Sequence, residues 1–184
     1  MDLPTIWFLA VAVLWTGYLV LEGFDFGVGM LLPVVGRDEP GKRVALGAIG
    51  PLWDGNEVWL IAAVGAMFAA FPAWYGATLS GFYVPVLLIL VALILRGVGL
   101  EYRSKVDDPR WCDRGIVAGS LVPAFGWGLV FANMLRGVEI GADGVVRSSL
   151  LDLLSPYALL GGLATATLFA LHGAVFLGLK TDGP

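Results

Sequence analysis

Apolar residues along the 184-residue chain gather into five long runs, and nearly all Lys and Arg residues fall between them. The runs cover about 5–32, 46–71, 78–100, 116–135 and 156–179. Each is close to the ~20 residues that cross a bilayer, and the longer ones can tilt. A backbone in lipid must satisfy its own hydrogen bonds, so runs this long are predicted to be helices rather than barrel strands. Pro4, Pro51 and Pro156 lie at or near segment starts, where a missing N–H costs little. Pro85 and Pro123 are interior and predict local kinks. The expected fold is an all-α membrane protein: one transmembrane domain over 1–184 with about five helices.

Composition agrees with this reading. The chain is 58% hydrophobic and only 14% charged, with a mean hydropathy of +0.84. A soluble domain of this length would carry far more charge, and no large soluble domain fits beside five spans. The net charge of -4 says little about partners, because several acids lie inside apolar runs. Basic residues are scattered among short loops, which argues against nucleic acid as a partner. The single cysteine, Cys112, rules out an internal disulfide, a cysteine-ligated zinc site and a CxxCH haem attachment. The single histidine, His172, rules out bis-histidine haem ligation within the chain. The N-terminus has no basic n-region, so Thr5 onward reads as a retained span.

Charge distribution orients the spans. Arg37, Lys42, Arg43, Arg103, Lys105, Arg110, Arg114 and Lys180 fall on one side, against Arg136 and Arg147 on the other. The loop at 72–76 has none. The positive-inside rule then places the N-terminus outside and the C-terminus in the cytoplasm. Trp7, Trp74, Tyr75 and Tyr157 lie near segment ends, as interfacial belt residues do.

Four carboxylates and one arginine break the apolar pattern. Glu22 and Asp25 lie in the first run, Asp54 and Glu57 in the second, and Arg96 in the third. An ionised side chain at membrane depth is costly, so such residues face a protein interior or an aqueous cavity and often mark an ion or proton path. Glu22 and Asp25 are i and i+3 and share a helix face, as do Asp54 and Glu57. With a rise of about 1.5 Å per residue, Asp25 stands about 13 Å from the cytoplasmic end of its helix. By the same rise Asp54 stands roughly 12 Å from the start of the second run. Arg96 is the natural counter-charge, since Arg stays protonated almost anywhere. With four acids and one cation, the remaining acids must be neutral, hydrated or paired with another subunit. One shared polar cluster near the cytoplasmic side is expected, with His172 at similar depth.

Plainer alternatives stand beside each reading. Gly23 and Gly27 form a GxxxG, so the first segment can be a packing seam with hydrogen-bonded acids. If the second helix starts at Pro51, Asp54 falls in its first turn and complements the helix dipole near the interface. Glu101 and Lys105 are i and i+4, either an uptake point or an ordinary interfacial ion pair. His172 can ligate a haem, though a hydrogen bond within the bundle is the favoured reading.

Four strings carry a resemblance beyond any single motif: GFDFGVGML (Gly23 to Leu31), GPLWDGNEVWLI (Gly50 to Ile61), SGFYVP (Ser80 to Pro85) and RGVGLEYRSK (Arg96 to Lys105). In this order the chain resembles subunit II of the cytochrome bd-type quinol oxidases. The resemblance implies a place in a bacterial respiratory enzyme that oxidises quinol and reduces dioxygen to water. It implies that haems b and d and the quinol oxidation site belong to a partner, subunit I. Subunit II in this family has about nine helices, in two four-helix bundles plus one. It gives structural support and part of a cytoplasmic proton route. By the matching motifs that route includes Lys105, Glu101, Asp54 and Asp25. Glu22, Glu57, Arg96, Trp53 and Asn56 form the supporting cluster. Some members hold a structural quinone against subunit II.

This chain is roughly half the family length, which implies a four-helix bundle plus one helix and the first half of a longer subunit. Glu57 stands where a glutamine is common in the family, and Glu101 where an aspartate is common. The expected partners are subunit I, the bilayer of the bacterial inner membrane, the quinone pool and further small subunits. No catalytic centre or metal ligand set is expected in this chain alone. A purely structural subunit and a proton-coupled transporter are the rival readings. Paired half-helices or inverted repeats would mark a transporter, and the WDGNE run has no second copy here.

Overall fold

The computed structural model describes residues 2–142 and 144–181. Pro184, the last residue of the expected domain, lies outside them. Helices run α1 Leu3–Val35, α2 Glu39–Ile49, α3 Trp53–Ala70, α4 Pro72–Gly81, α5 Tyr83–Tyr102, α6 Arg110–Arg136, α7 Leu150–Leu153 and α8 Pro156–Lys180. Among the described residues the only β pairing is an isolated bridge between Ile140 and Val146.

Starts follow local chemistry. The Asp2 side chain accepts from the Thr5 N–H at 3.3 Å, Asp38 from Gly41 at 2.9 Å and Ser155 from Ala158 at 3.3 Å. A proline sits in the first turn of each helix so capped, where no N–H is required.

The second and third expected segments are divided differently from the sequence reading. The run expected at 46–71 breaks at 50–52. Pro51 has no N–H to donate, so the helical ladder is interrupted there although Gly50 itself stays in the helical region. The basic stretch ahead of the break becomes the separate helix α2. The loop expected at 72–76 is helical, opened by Pro72 as α4. The kink expected at Pro85 is instead a break at Phe82, which leaves Pro85 in the first turn of α5. Pro123 stays inside a continuous α6.

Four helices are long and apolar enough to cross a membrane: α1, α5 with its following turn, α6 and α8. The 18-residue α3 falls short because Asp54, Asn56 and Glu57 occupy its first turns. Central α1 packs on α3, α6 and α8, while α6 packs on α5 and α8. The seams are lined by small residues, as expected where lipid competes for apolar surface and close backbone approach must supply the attraction. A methyl group at Gly27 would run into the Phe169 carbonyl and lie 2.7 Å from the Gly173 Cα. One at Gly119 would lie 2.6 Å from the Arg96 Cβ, and one at Gly99 2.9 Å from the Cys112 carbonyl. Tyr18, Phe26, Phe82, Ile89, Trp127 and Phe169 fill the centre. Leu3, Val13, Ile61, Ile94, Leu160 and Leu171 face outward, as suits a lipid-facing shell.

Candidate functional site

The GxxxG of α1 leaves α8 close on one side, so Glu22 and Asp25 are turned to the other, toward α3 and α5. Both are fully buried. Arg96 reaches inward from α5 at 1% exposure. Its Nη1 donates to Glu22 Oε2 at 2.9 Å and to Glu57 Oε1 at 3.0 Å. The Phe26 ring covers the guanidinium, 4.9 Å from Cζ to its centroid. Beside this group, Asn56 Nδ2 donates to Asp25 Oδ2 at 2.7 Å. Three helices thus bring Glu22, Asp25, Asn56, Glu57 and Arg96 together, a part of the cluster expected from four helices. Glu57 is the open member, its side chain 20% exposed against 0% for Glu22.

Other expected members stand outside the cluster. Asp54 is exposed, and makes no hydrogen bond or ion pair among the described residues. The expected depth of roughly 12 Å assumed a helix from position 46. Since α3 begins at Trp53, Asp54 occupies its first turn, the position where a carboxylate complements the helix dipole. His172 does not join the acids either. It lies half-buried on α8, edge-on to Phe24 with centroids 5.6 Å apart. Glu101 and Lys105 form an i,i+4 pair at 3.7 Å with both side chains about 60% exposed, a geometry that contributes little stability. Trp53 and Glu101 line one open cavity of about 760 Å³, together with Glu39, Arg103, Ser104 and Asp107. Among the described residues no three His, Cys, Asp or Glu side chains gather as a metal-holding set.

Sequence reasoning missed a second charged group at the same end of the bundle. Arg103 forks onto Glu39 at 2.7 and 3.0 Å, and its Nε donates to Asp113 at 2.6 Å. Lys42 reaches the other oxygen of Asp113 at 2.7 Å. The group ties α2 to the end of α5 and the start of α6. The Arg103 guanidinium holds the Glu39 carboxyl below the usual carboxylate range. Its stabilisation is therefore present above that range and lost as pH falls through the lowered value. Glu39 and Arg103 are 64 positions apart; the only sequence signal was acids embedded in otherwise basic loops. Arg103→Ala is expected to lower stability by roughly 1–3 kcal/mol, because Asp113 loses a charged donor. Thermal unfolding in detergent checks this, and an unchanged midpoint would mean the group carries no load.

A family model described as Cytochrome bd terminal oxidase subunit II matches residues 3–184. Cytochrome bd ubiquinol oxidase subunit 2 of Bacillus subtilis (strain 168) is 45% identical over 185 residues, covering 99% of this chain and 55% of that protein. Cytochrome bd-I ubiquinol oxidase subunit 2 of Escherichia coli (strain K12) is 44% identical over 185 residues, covering 97% and 49%. The Probable cytochrome oxidase subunit 2 of Haemophilus influenzae is 44% identical over 183 residues, covering 96% and 48%. The chain spans about half the length of these curated relatives.

Proposed function

We propose, for a chain that belongs to the cytochrome bd terminal oxidase subunit II family, a role within the accessory subunit of a bd-type respiratory quinol:O2 oxidoreductase. It supports the haem-bearing subunit I and carries part of the cytoplasmic proton route. The observation that carries this reading is the meeting of Glu22, Asp25, Glu57 and Arg96 from three helices, with Glu57 and Asp54 opening outward on α3. Glu57, a turn further into α3 than Asp54, would be costly to leave facing lipid. That face is accordingly assigned to subunit I.

The exposed Glu101–Lys105 pair gathers protons beside the cavity that Trp53 also lines. Asp54 and Glu57, one turn apart, relay them along the covered face, and Asp25 and Glu22 extend the path inward. Arg96 sets the local field and holds the carboxyls in place. The haems b and d stay with subunit I, where they supply the oxygen chemistry; this chain's residues hold and move protons only. The apolar cavity of about 570 Å³ lined by Phe8, Trp15, Met67, Trp74, Tyr75 and Trp127 has the chemistry for a structural quinone. The bias of basic residues to one side supports an N-terminus outside, and the family match supports a bacterial membrane.

The test is Asp54→Asn in the assembled complex. Quinol oxidase turnover is expected to fall severalfold with haem content intact. Normal turnover with normal haem would take Asp54 off the route. Haem loss or subunit dissociation would favour the second reading, a purely supporting subunit, which the closed Glu22–Arg96 contact suits. The family match favours an oxidase subunit over the transporter reading.

A further inference from the structure

We propose that Arg96, Glu22 and Asp25 bind buried water between α1 and α5, and that this water joins the Glu22–Arg96–Glu57 group to the Asp25–Asn56 pair. Among the described residues, six buried side-chain atoms have no hydrogen-bond partner, and four of them belong to this cluster: Glu22 Oε1, Asp25 Oδ1, Arg96 Nε and Arg96 Nη2. The other two are Ser120 Oγ, packed against Gly29, and Asn133 Oδ1, on a side chain whose amide already serves Leu153.

Arg96 meets both glutamates through Nη1 alone. Phe26 covers one face of the guanidinium, so the remaining in-plane N–H groups form its unpaired edge. Native interiors rarely leave such groups unsatisfied, and ordered water with about three hydrogen bonds is the usual remedy. Asp25 follows Glu22 on the same face of α1, and Asn56 precedes Glu57 on α3. The two pairs therefore stand side by side, one presenting orphan donors with an acceptor and the other an orphan acceptor.

That mixture selects the occupant. A cation would be repelled by the guanidinium, and an anion by the two carboxyls. A water molecule accepts from Arg96 while donating to Glu22 Oε1 and Asp25 Oδ1. The proposal deepens the relay reading of this cluster, since water is what would link acids that do not touch.

The experiment is a cryo-EM map of the assembled wild-type complex at a resolution that shows ordered water. A peak is expected within hydrogen-bond reach of Asp25 Oδ1 and of at least one of Arg96 Nε, Arg96 Nη2 and Glu22 Oε1. A map resolving buried waters elsewhere in the chain but leaving this edge dry, or engaged by protein atoms, would overturn the proposal. In a second comparison Asp25→Asn is expected to keep the peak and Asp25→Leu to lose it. Water unchanged in the leucine variant would refute the bridging role. Peaks present alongside normal turnover of Asp54→Asn keep this inference and take Asp54 off the proton route; a dry cluster with slow turnover does the reverse.

Discussion

Arg96→Leu is expected to destabilise the chain by about 3–5 kcal/mol and to deplete the assembled complex, because it leaves Glu22 buried with no counter-charge. Glu22 is fully buried, and its one partnered oxygen bonds Arg96 at 2.9 Å. Glu57 is more forgiving, since its 20% exposed side chain can turn to the outer face. The double change Glu22→Leu/Arg96→Leu is expected to recover most of the loss, since both buried charges leave together. Thermal midpoint and complex yield in detergent measure both effects. A single variant as stable as the parent would show that Arg96 is not the counter-charge of this core. The double variant also separates the two functional readings. An assembled, haem-replete complex with slow turnover supports the relay, whereas normal turnover reduces the cluster to a brace.

The second large effect is expected at Gly27→Val. A Cβ there meets the backbone of α8, the Phe169 carbonyl and the Gly173 Cα, rather than the end of a mobile side chain. The helices must separate, at a cost of about 3 kcal/mol, the upper end for overpacking. Because α1 is central, the same displacement moves Glu22 and Asp25 relative to α3 and α5. Loss of monodisperse complex on size exclusion is the expected readout, with Gly27→Ala intermediate. A valine variant that elutes and melts like the parent would show that the α1–α8 seam is looser than its geometry implies.

Much of the site was legible because polar residues are rare in apolar runs and each one needs a reason to be there. Glu22 and Glu57 meet Arg96 as expected, while Asp25 bonds Asn56 beside them. Asp54 was placed too deep because apolar character continues upstream of it from Leu46, while the backbone is interrupted at Pro51. Hydropathy reports where a segment can sit, whereas the helix start depends on the N–H that Pro51 lacks. For the same reason the loop at 72–76 and the start of α5 were misjudged.

The sequence by itself determined the class of molecule, the approximate positions of its long helices, the family and the acids and arginine that set the site apart. These depend on local composition, on spacing along one helix and on motifs read in order. Only the tertiary structure decided which acids pair with Arg96, that Asp54 faces outward, and that Arg103 gathers Glu39 and Asp113 from distant segments. Such pairings depend on the rotation of each helix about its axis. That rotation is settled by close contacts such as Gly27 against Gly173 and Gly119 against Arg96, and no single stretch of the chain encodes it.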